Sequence, residues 1–235
     1  MTIEPAPPAT PSRKRFLYRL IDPVYVLIEG IYSVLIILTF TLAATATAAQ
    51  FIWASALLDD LFWAAFGCAV AWGIIDGVMY VLNGIAERGQ SRRLWRLVAS
   101  APDEAGGVAL LAEELDDSLA VITDEAERAQ VYRGLYARLK GRTPQEAGFK
   151  REDLAGGLGT FLVAVGAALP VVLPLLFFRS DPLLAVRVSN FVAFAMLFLM
   201  GYRWAKYVGG KPVRTGLYLT LLGVVMMIVA IPLGG

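Results

Sequence analysis

Residues 27–35 read LIEGIYSVL and residues 74–82 read IIDGVMYVL, so two apolar stretches carry an acid-glycine pair in the same frame. The acids are Glu29 and Asp76, and each lies within an apolar run long enough to cross a membrane. An ionised side chain is costly in hydrocarbon, so such residues usually face the interior of a helix bundle or a wet cavity. The pattern predicts an all-α membrane protein in which Glu29 and Asp76 handle a cation or a proton.

The composition supports this prediction and excludes several classes of protein. Of the 235 residues, 57% are hydrophobic, against about 45–50% in soluble domains. The net charge of +1, with no basic stripe among aromatic residues, argues against a nucleic-acid partner. There is one cysteine, Cys68, and no histidine, so a metal would have to be bound by carboxylates, Met sulfur, carbonyls or water. We expect no enzyme and no permanently bound cofactor, because no hydrolase, kinase or Rossmann motif is present.

The apolar runs predict five membrane-spanning helices, since each has the roughly 20 apolar residues that a span requires. These spans 1 to 5 are residues 23–48, 61–85, 154–178, 183–207 and 213–233. The predicted organisation has four parts: a disordered, basic N-terminus over 1–22, spans 1 and 2 over 23–85, a polar insert over 86–153, and spans 3 to 5 over 154–235.

The distribution of Lys and Arg predicts the orientation. Basic residues precede span 1, recur through the insert and surround the connection between spans 4 and 5, and five spans place all three regions on one side. The positive-inside rule then makes the N-terminus and the insert cytoplasmic and the C-terminus external, in a bacterial inner membrane. Within the insert, residues 100–103 (SAPD) and 123–124 (TD) are plausible N-caps. Two apolar stripes at helical spacing predict a small helical unit. The first comprises Leu110, Leu111, Leu115 and Leu119, and the second comprises Val131, Leu135 and Leu139.

Polar side chains form a stripe on spans 1 and 2. In span 2 the stripe begins at Asp76. The residues three, four, seven and eleven positions later are Met79, Tyr80, Asn83 and Glu87, and these spacings place them on one helix face. Facing each other, the two stripes would form an oxygen-rich cavity that suits Mn²⁺ and similar ions, with the sulfur of Met79 as a soft ligand. Tyr80 and Asn83 would orient the acids. The predicted site comprises Glu29, Asp76 and Met79, supported by Tyr32, Ser33, Tyr80, Asn83 and Glu87.

Each assignment has a structural alternative. Glu29 and Asp76 can be protonated groups that only hold helices together by hydrogen bonds, and Met79 can be a packing residue. In the insert, Glu113 shares a helix face with Asp117, and with Glu114 they are candidates for capturing a divalent ion. A run of acids is also the usual composition of a solvated helix face.

Several motifs resemble a bacterial branch of the vacuolar iron transporter (VIT) family. They are residues 38–41 (LTFT), 71–80 (AWGIIDGVMY), 187–190 (RVSN) and 197–202 (LFLMGY). The resemblance implies five helices with a cytoplasmic insert, and a homodimer whose pore lies between the two copies of span 1. It also implies export of Fe²⁺, and often Mn²⁺, from the cytosol in exchange for protons. The family's helix-one acid and helix-two methionine correspond to Glu29 and Met79, with Asp76 nearby.

The chain departs from the family pattern in two places. It has Glu29-Gly30 where an Asp-Gly pair is expected, and its insert contains no methionine between residues 88 and 153. The alternative function is therefore a non-transporting membrane scaffold or regulator whose cytoplasmic helices bind a partner. The expected partners of a transporter are the lipid bilayer, divalent ions, protons and a second copy of the chain.

Overall fold

The computed structural model describes residues 22–48, 55–141 and 148–230, and the regular structure in these ranges is entirely helical. Side chains are described outside 43–48, 55–57, 227 and 230. The predicted disordered N-terminus over 1–21 and the external C-terminus over 231–235 lie outside the described residues. The helices are α1 Pro23–Ala48, α2 Ser55–Ala99, α3 Glu104–Leu119, α4 Glu125–Lys140, α5 Arg151–Phe177, α6 Pro182–Val208 and α7 Pro212–Ala230.

The chain divides into two compact units. The first consists of Met1–Tyr80 and Leu154–Gly235, and the second is Val81–Asp153. The second unit therefore begins five residues before the insert predicted to start at residue 86, and it ends at the predicted position. The helix α2 runs to Ala99, well beyond the end of predicted span 2. Residues 86–99 contain no proline to end the helix, and the helix continues through Gly89.

Four helices in the described ranges are long and apolar enough to cross a membrane: Pro23–Leu42, Leu58–Ala99, Arg151–Phe177 and Pro182–Val208. They correspond to predicted spans 1 to 4. Span 5 corresponds to α7, whose apolar portion with described side chains, Pro212–Met226, is shorter than the others. The protein is thus an all-helical membrane protein, and the count of five spans stays a prediction.

The core of the first unit forms where α1, α5 and α6 bring branched and small side chains together. Its fully buried members include Val34 and Leu38 of α1, Val171 of α5, and Ala193 and Leu197 of α6. A buried polar contact also lies at this depth, because Ser189 donates a 2.6 Å hydrogen bond to the carbonyl oxygen of Val171. Val171 lies on α5 between Pro170 and Pro174, the two prolines within this helix.

Glycines allow α2 and α5 to approach closely beside the acid of α2. A Cβ atom on Gly77 would lie 2.8 Å from the carbonyl oxygen of Gly157, so a side chain there would force the helices apart. A Cβ on Gly156 would collide with the ring of Tyr80. The glycine-rich start of predicted span 3 therefore serves helix packing, as small residues do in membrane interfaces.

The second unit is a small helical domain with its own core. The side chains of Asp103 and Asp124 accept hydrogen bonds from the backbone N–H groups of Gly106 and Glu127, which confirms both predicted N-caps. Tyr132 and Tyr136 are buried with Leu111 and Val98, and Leu135 and Leu139 of α4 are partly buried against them. Val131 is 40% exposed.

Candidate ion-binding site

The two acids of the repeated motif meet inside the first unit. Glu29 on α1 is only 4% exposed, and Asp76 on α2 is half-buried. Their carboxyl groups lie close enough to interact. Two carboxylates side by side repel each other, and a shared proton or a bound cation removes this repulsion. The pair is therefore a candidate proton- or cation-binding group within an apolar helix bundle.

Three oxygen atoms around this pair have no hydrogen-bond partner within the described part of the chain. They are Glu29 Oε1, Asp76 Oδ2 and Ser33 Oγ, and each is buried. Ser33 follows Glu29 by four residues on α1, so the two side chains lie on the same helix face. Buried polar atoms are almost always hydrogen-bonded in proteins, and an exception at a cluster of acids indicates a binding site. The three atoms can accept hydrogen bonds from water or coordinate a cation.

Two tyrosines cover one side of the acid pair. Tyr25 precedes Glu29 by one helical turn, and Tyr80 follows Asp76 by one turn. Because α1 and α2 run in opposite directions, both rings lie toward the same end of the acid pair. The rings pack edge to face with their centres 5.8 Å apart. The Tyr25 hydroxyl also lies close to the Thr160 side chain of α5.

Thr160 is the site residue that sequence reasoning missed. It is 1% exposed, and its hydroxyl donates a 3.1 Å hydrogen bond to the carbonyl oxygen of Gly156. Its only sequence signal is its position directly after Gly156-Gly157-x-Gly159, whose small residues let α5 approach the acids. Thr160 thereby connects the tyrosine cover to the helix that packs against Gly77.

Several other predicted site residues have exposed side chains. Met79 is 46% exposed and Tyr32 is 53% exposed, so their side chains are on the surface of the single chain. Asn83 and Glu87 are also exposed. A spacing of three residues rotates Met79 by about 60° from Asp76 around the helix axis, which is enough to turn it outward while Tyr80, at four residues, stays with the acid.

The acids of the second unit are solvated. Glu113, Glu114 and Asp117 are exposed on α3, and the first two line a shallow pocket together with Arg93. Across the described ranges, no group of three or more Asp, Glu, His or Cys side chains is arranged to hold a metal ion. Any metal site within these ranges therefore needs further ligands, from neutral oxygen atoms or from a second chain.

The long apolar helices are those of an integral membrane protein, and two acids lie among them. The sequence profile of the VIT family matches residues 101–235 of the chain. The chain belongs to the VIT family, a family of membrane metal-ion transporters, which are not enzymes. No curated protein sequence matches the chain. The family match covers α3 to α7, whereas Glu29 and Asp76 lie on α1 and α2, before the matched region.

Proposed function

We propose that the protein moves Fe²⁺ or Mn²⁺ out of the cytosol and carries protons in the opposite direction, with Glu29 and Asp76 as the groups that exchange the two. The observation that carries this proposal is the closeness of two carboxyl groups in the apolar unit, each with one buried oxygen atom that has no hydrogen-bond partner among the described residues. In this proposal a proton shared by the pair relieves the repulsion between the two groups. Arrival of a divalent cation between the carboxyl groups releases that proton, because the cation stabilises both carboxylates.

The coordination chemistry of the pair supports hard and borderline ions. Carboxylate and hydroxyl oxygens suit Mn²⁺, whereas thioether sulfur favours softer ions. The sulfur of Met79 is on the chain surface. Its predicted ligand role therefore requires a surface-to-surface arrangement of two copies, as in the homodimer that the family resemblance implies. A second copy would also add a second carboxyl pair to an otherwise small ligand set.

The orientation in the bacterial inner membrane follows from the basic residues, with the insert in the cytosol. Capture of metal by Glu113, Glu114 and Asp117 before transport belongs to the same proposal. These carboxylates are exposed and accessible to a cytosolic ion. The three do not come together as a metal-binding group in the described helices, so their binding of a divalent ion would be weak.

The experiment is flux of Fe²⁺ and Mn²⁺ into proteoliposomes together with a pH-sensitive dye. Glu29→Gln and Asp76→Asn keep the side-chain size but cannot lose a proton at neutral pH, so both should abolish metal flux and the coupled pH change. The matched control is Asp60→Asn, since Asp60 lies on the same helix as Asp76 but is exposed. Equal flux in all four proteins would refute the proposed site.

A scaffold or regulator is the second candidate function, and one observation favours it. The pocket of the second unit combines apolar and charged side chains, as a peptide-binding groove does. It is lined by Gln90, Arg93, Leu94, Leu97, Leu110, Glu113 and Glu114. In this case native protein would give no flux of either metal, and the Glu29–Asp76 pair would serve only to join α1 to α2.

A further inference from the structure

The hydroxyl group of Ser33 is a buried polar group without a structural role. The residue is 2% exposed, and Ser33 Oγ has no hydrogen-bond partner in the described part of the chain. A hydroxyl buried without a hydrogen bond costs about 1–3 kcal/mol in proteins. An apolar bundle would be more stable with alanine at this position, so the hydroxyl needs another explanation.

Other hydroxyl groups of the membrane-spanning helices avoid this cost by bonding to their own backbone. Thr39 donates to the carbonyl oxygen of Ile36 at 2.7 Å, Thr160 to that of Gly156 at 3.1 Å, and Thr220 to that of Gly216 at 3.0 Å. Ser33 has the same option in the carbonyl of Glu29, four residues earlier. The Ser33 hydroxyl does not form this hydrogen bond, so its proton and its lone pairs remain available to another ligand or donor.

The position of Ser33 places this hydroxyl beside the acid pair. Side chains four residues apart on a helix have Cβ atoms about 5–6 Å apart, which a single bound ion between two ligands can span. The unpaired oxygens of the cluster are thus Ser33 Oγ, Glu29 Oε1 and Asp76 Oδ2, supplied by adjacent faces of α1 and α2. Two are acidic and one is neutral, a ligand set typical of oxygen-bound divalent ions.

We propose that Ser33 is a direct ligand of the transported ion, and that it completes with Glu29 and Asp76 an all-oxygen binding site in each chain. The inference rests on the proposed transport function and extends it to selectivity. A site of three hard oxygens favours Mn²⁺ over thiophilic ions such as Cd²⁺. Ser33 then determines part of the metal preference, because it is the one neutral ligand of the three and can be exchanged for a soft atom.

The test is metal binding to the purified full-length protein, measured by calorimetric titration with Mn²⁺ and with Cd²⁺. Ser33→Ala should weaken Mn²⁺ binding by about tenfold, the lower end of the effect of altering a group that supports metal ligands. Ser33→Cys should lose Mn²⁺ affinity to a similar extent and gain affinity for Cd²⁺, because thiolate is a soft ligand.

The control variant is Thr39→Cys. Thr39 lies on the same helix and is half-buried, but its hydroxyl is already bonded to the backbone. It should leave both affinities unchanged, and it also measures the background of an added thiol beside the native Cys68. Glu29→Gln is measured in parallel to report on the acid pair itself.

The outcomes separate the inference from the function on which it rests. Native-like affinities in Ser33→Ala and Ser33→Cys, with Mn²⁺ binding lost in Glu29→Gln, would overturn the role of Ser33 and leave the transport proposal standing. Native-like binding in all variants would overturn both, since the ion would then bind elsewhere. The same gain of Cd²⁺ affinity in Thr39→Cys as in Ser33→Cys would also refute the inference.

Discussion

Replacing Arg88 by alanine is expected to destabilise the second unit by about 2–3 kcal/mol. The Arg88 guanidinium binds both carboxylate oxygens of Asp153, with N–O distances of 3.0 and 2.6 Å, and the two side chains are 24% and 9% exposed. Exposed ion pairs contribute about 0–1 kcal/mol, whereas breaking a fully buried pair costs about 3–5 kcal/mol. Since Arg88 is partly solvated and Asp153 is nearly buried, the expected value lies between these limits.

The Asp153 carboxylate, which loses its ion-pair partner, accounts for most of this loss of stability. Without Arg88, the Asp153 carboxylate keeps one described hydrogen bond, from the backbone N–H of Lys150 at 2.8 Å. A buried carboxylate with a single donor is poorly solvated. Asp153→Asn should lower the free energy of unfolding less than Arg88→Ala does. The amide oxygen of asparagine can still accept a hydrogen bond from the backbone N–H of Lys150, and no carboxylate charge is left buried.

The assay is a double-mutant cycle with Arg88→Ala and Asp153→Asn, using SDS titration in mixed micelles and the fluorescence of the five tryptophans. The coupling free energy should be about 2 kcal/mol. The control pair is Arg179–Asp59, which has the same N–O distance of 2.6 Å but side chains that are 52% and 43% exposed. Its coupling should stay below about 1 kcal/mol. Equal coupling in the two cycles would refute the argument that burial determines the difference.

Three further predictions concern the tyrosines. Tyr25→Phe removes the hydroxyl group that lies close to Thr160 and should lower the free energy of unfolding by at most about 1 kcal/mol, measured by the same titration. Gly156→Ala should cost about 1–3 kcal/mol, because its methyl group displaces the Tyr80 ring, and Tyr80→Ala in addition should recover part of this loss. Burial and a hydrogen bond to Asp116 raise the pKa of Tyr132 above its ordinary value. The contribution of Tyr132 to stability is therefore complete below the pKa of an unfolded tyrosine and is lost as the pH rises through the higher pKa of the folded state. Absorbance at 295 nm, with Tyr132→Phe as reference, should show that Tyr132 ionises at a higher pH than exposed tyrosines.

The identity of the membrane helices was predictable because the cost of burying polar groups in hydrocarbon leaves a long apolar run in the sequence. The same physics singled out Glu29 and Asp76, since acids are rare in such runs. The caps at Asp103 and Asp124 were also predictable, because a capping side chain acts on backbone groups only three residues away. Each of these features depends on local sequence alone.

The partners of individual side chains were not predictable in the same way. The spacing placed Met79 and Tyr80 together on one stripe, but the rotation of α2 against α5 leaves Tyr80 over Gly156 and turns Met79 to the surface. Helical periodicity gives a face about 100° wide and does not say which edge of that face meets a neighbour. For the same reason helical periodicity does not show that Tyr132 and Tyr136 of α4 are buried while Val131 is exposed.

The sequence by itself determined that this protein is a helical membrane protein with two acids among its spans, because both properties follow from the cost of placing charge in lipid. Only the tertiary structure decided that the two acids lie close together, that Thr160 lies close to Tyr25, and that Ser33 keeps its hydroxyl unpaired. These contacts join residues from separate helices, and their geometry depends on how the glycine-lined faces of α2 and α5 pack.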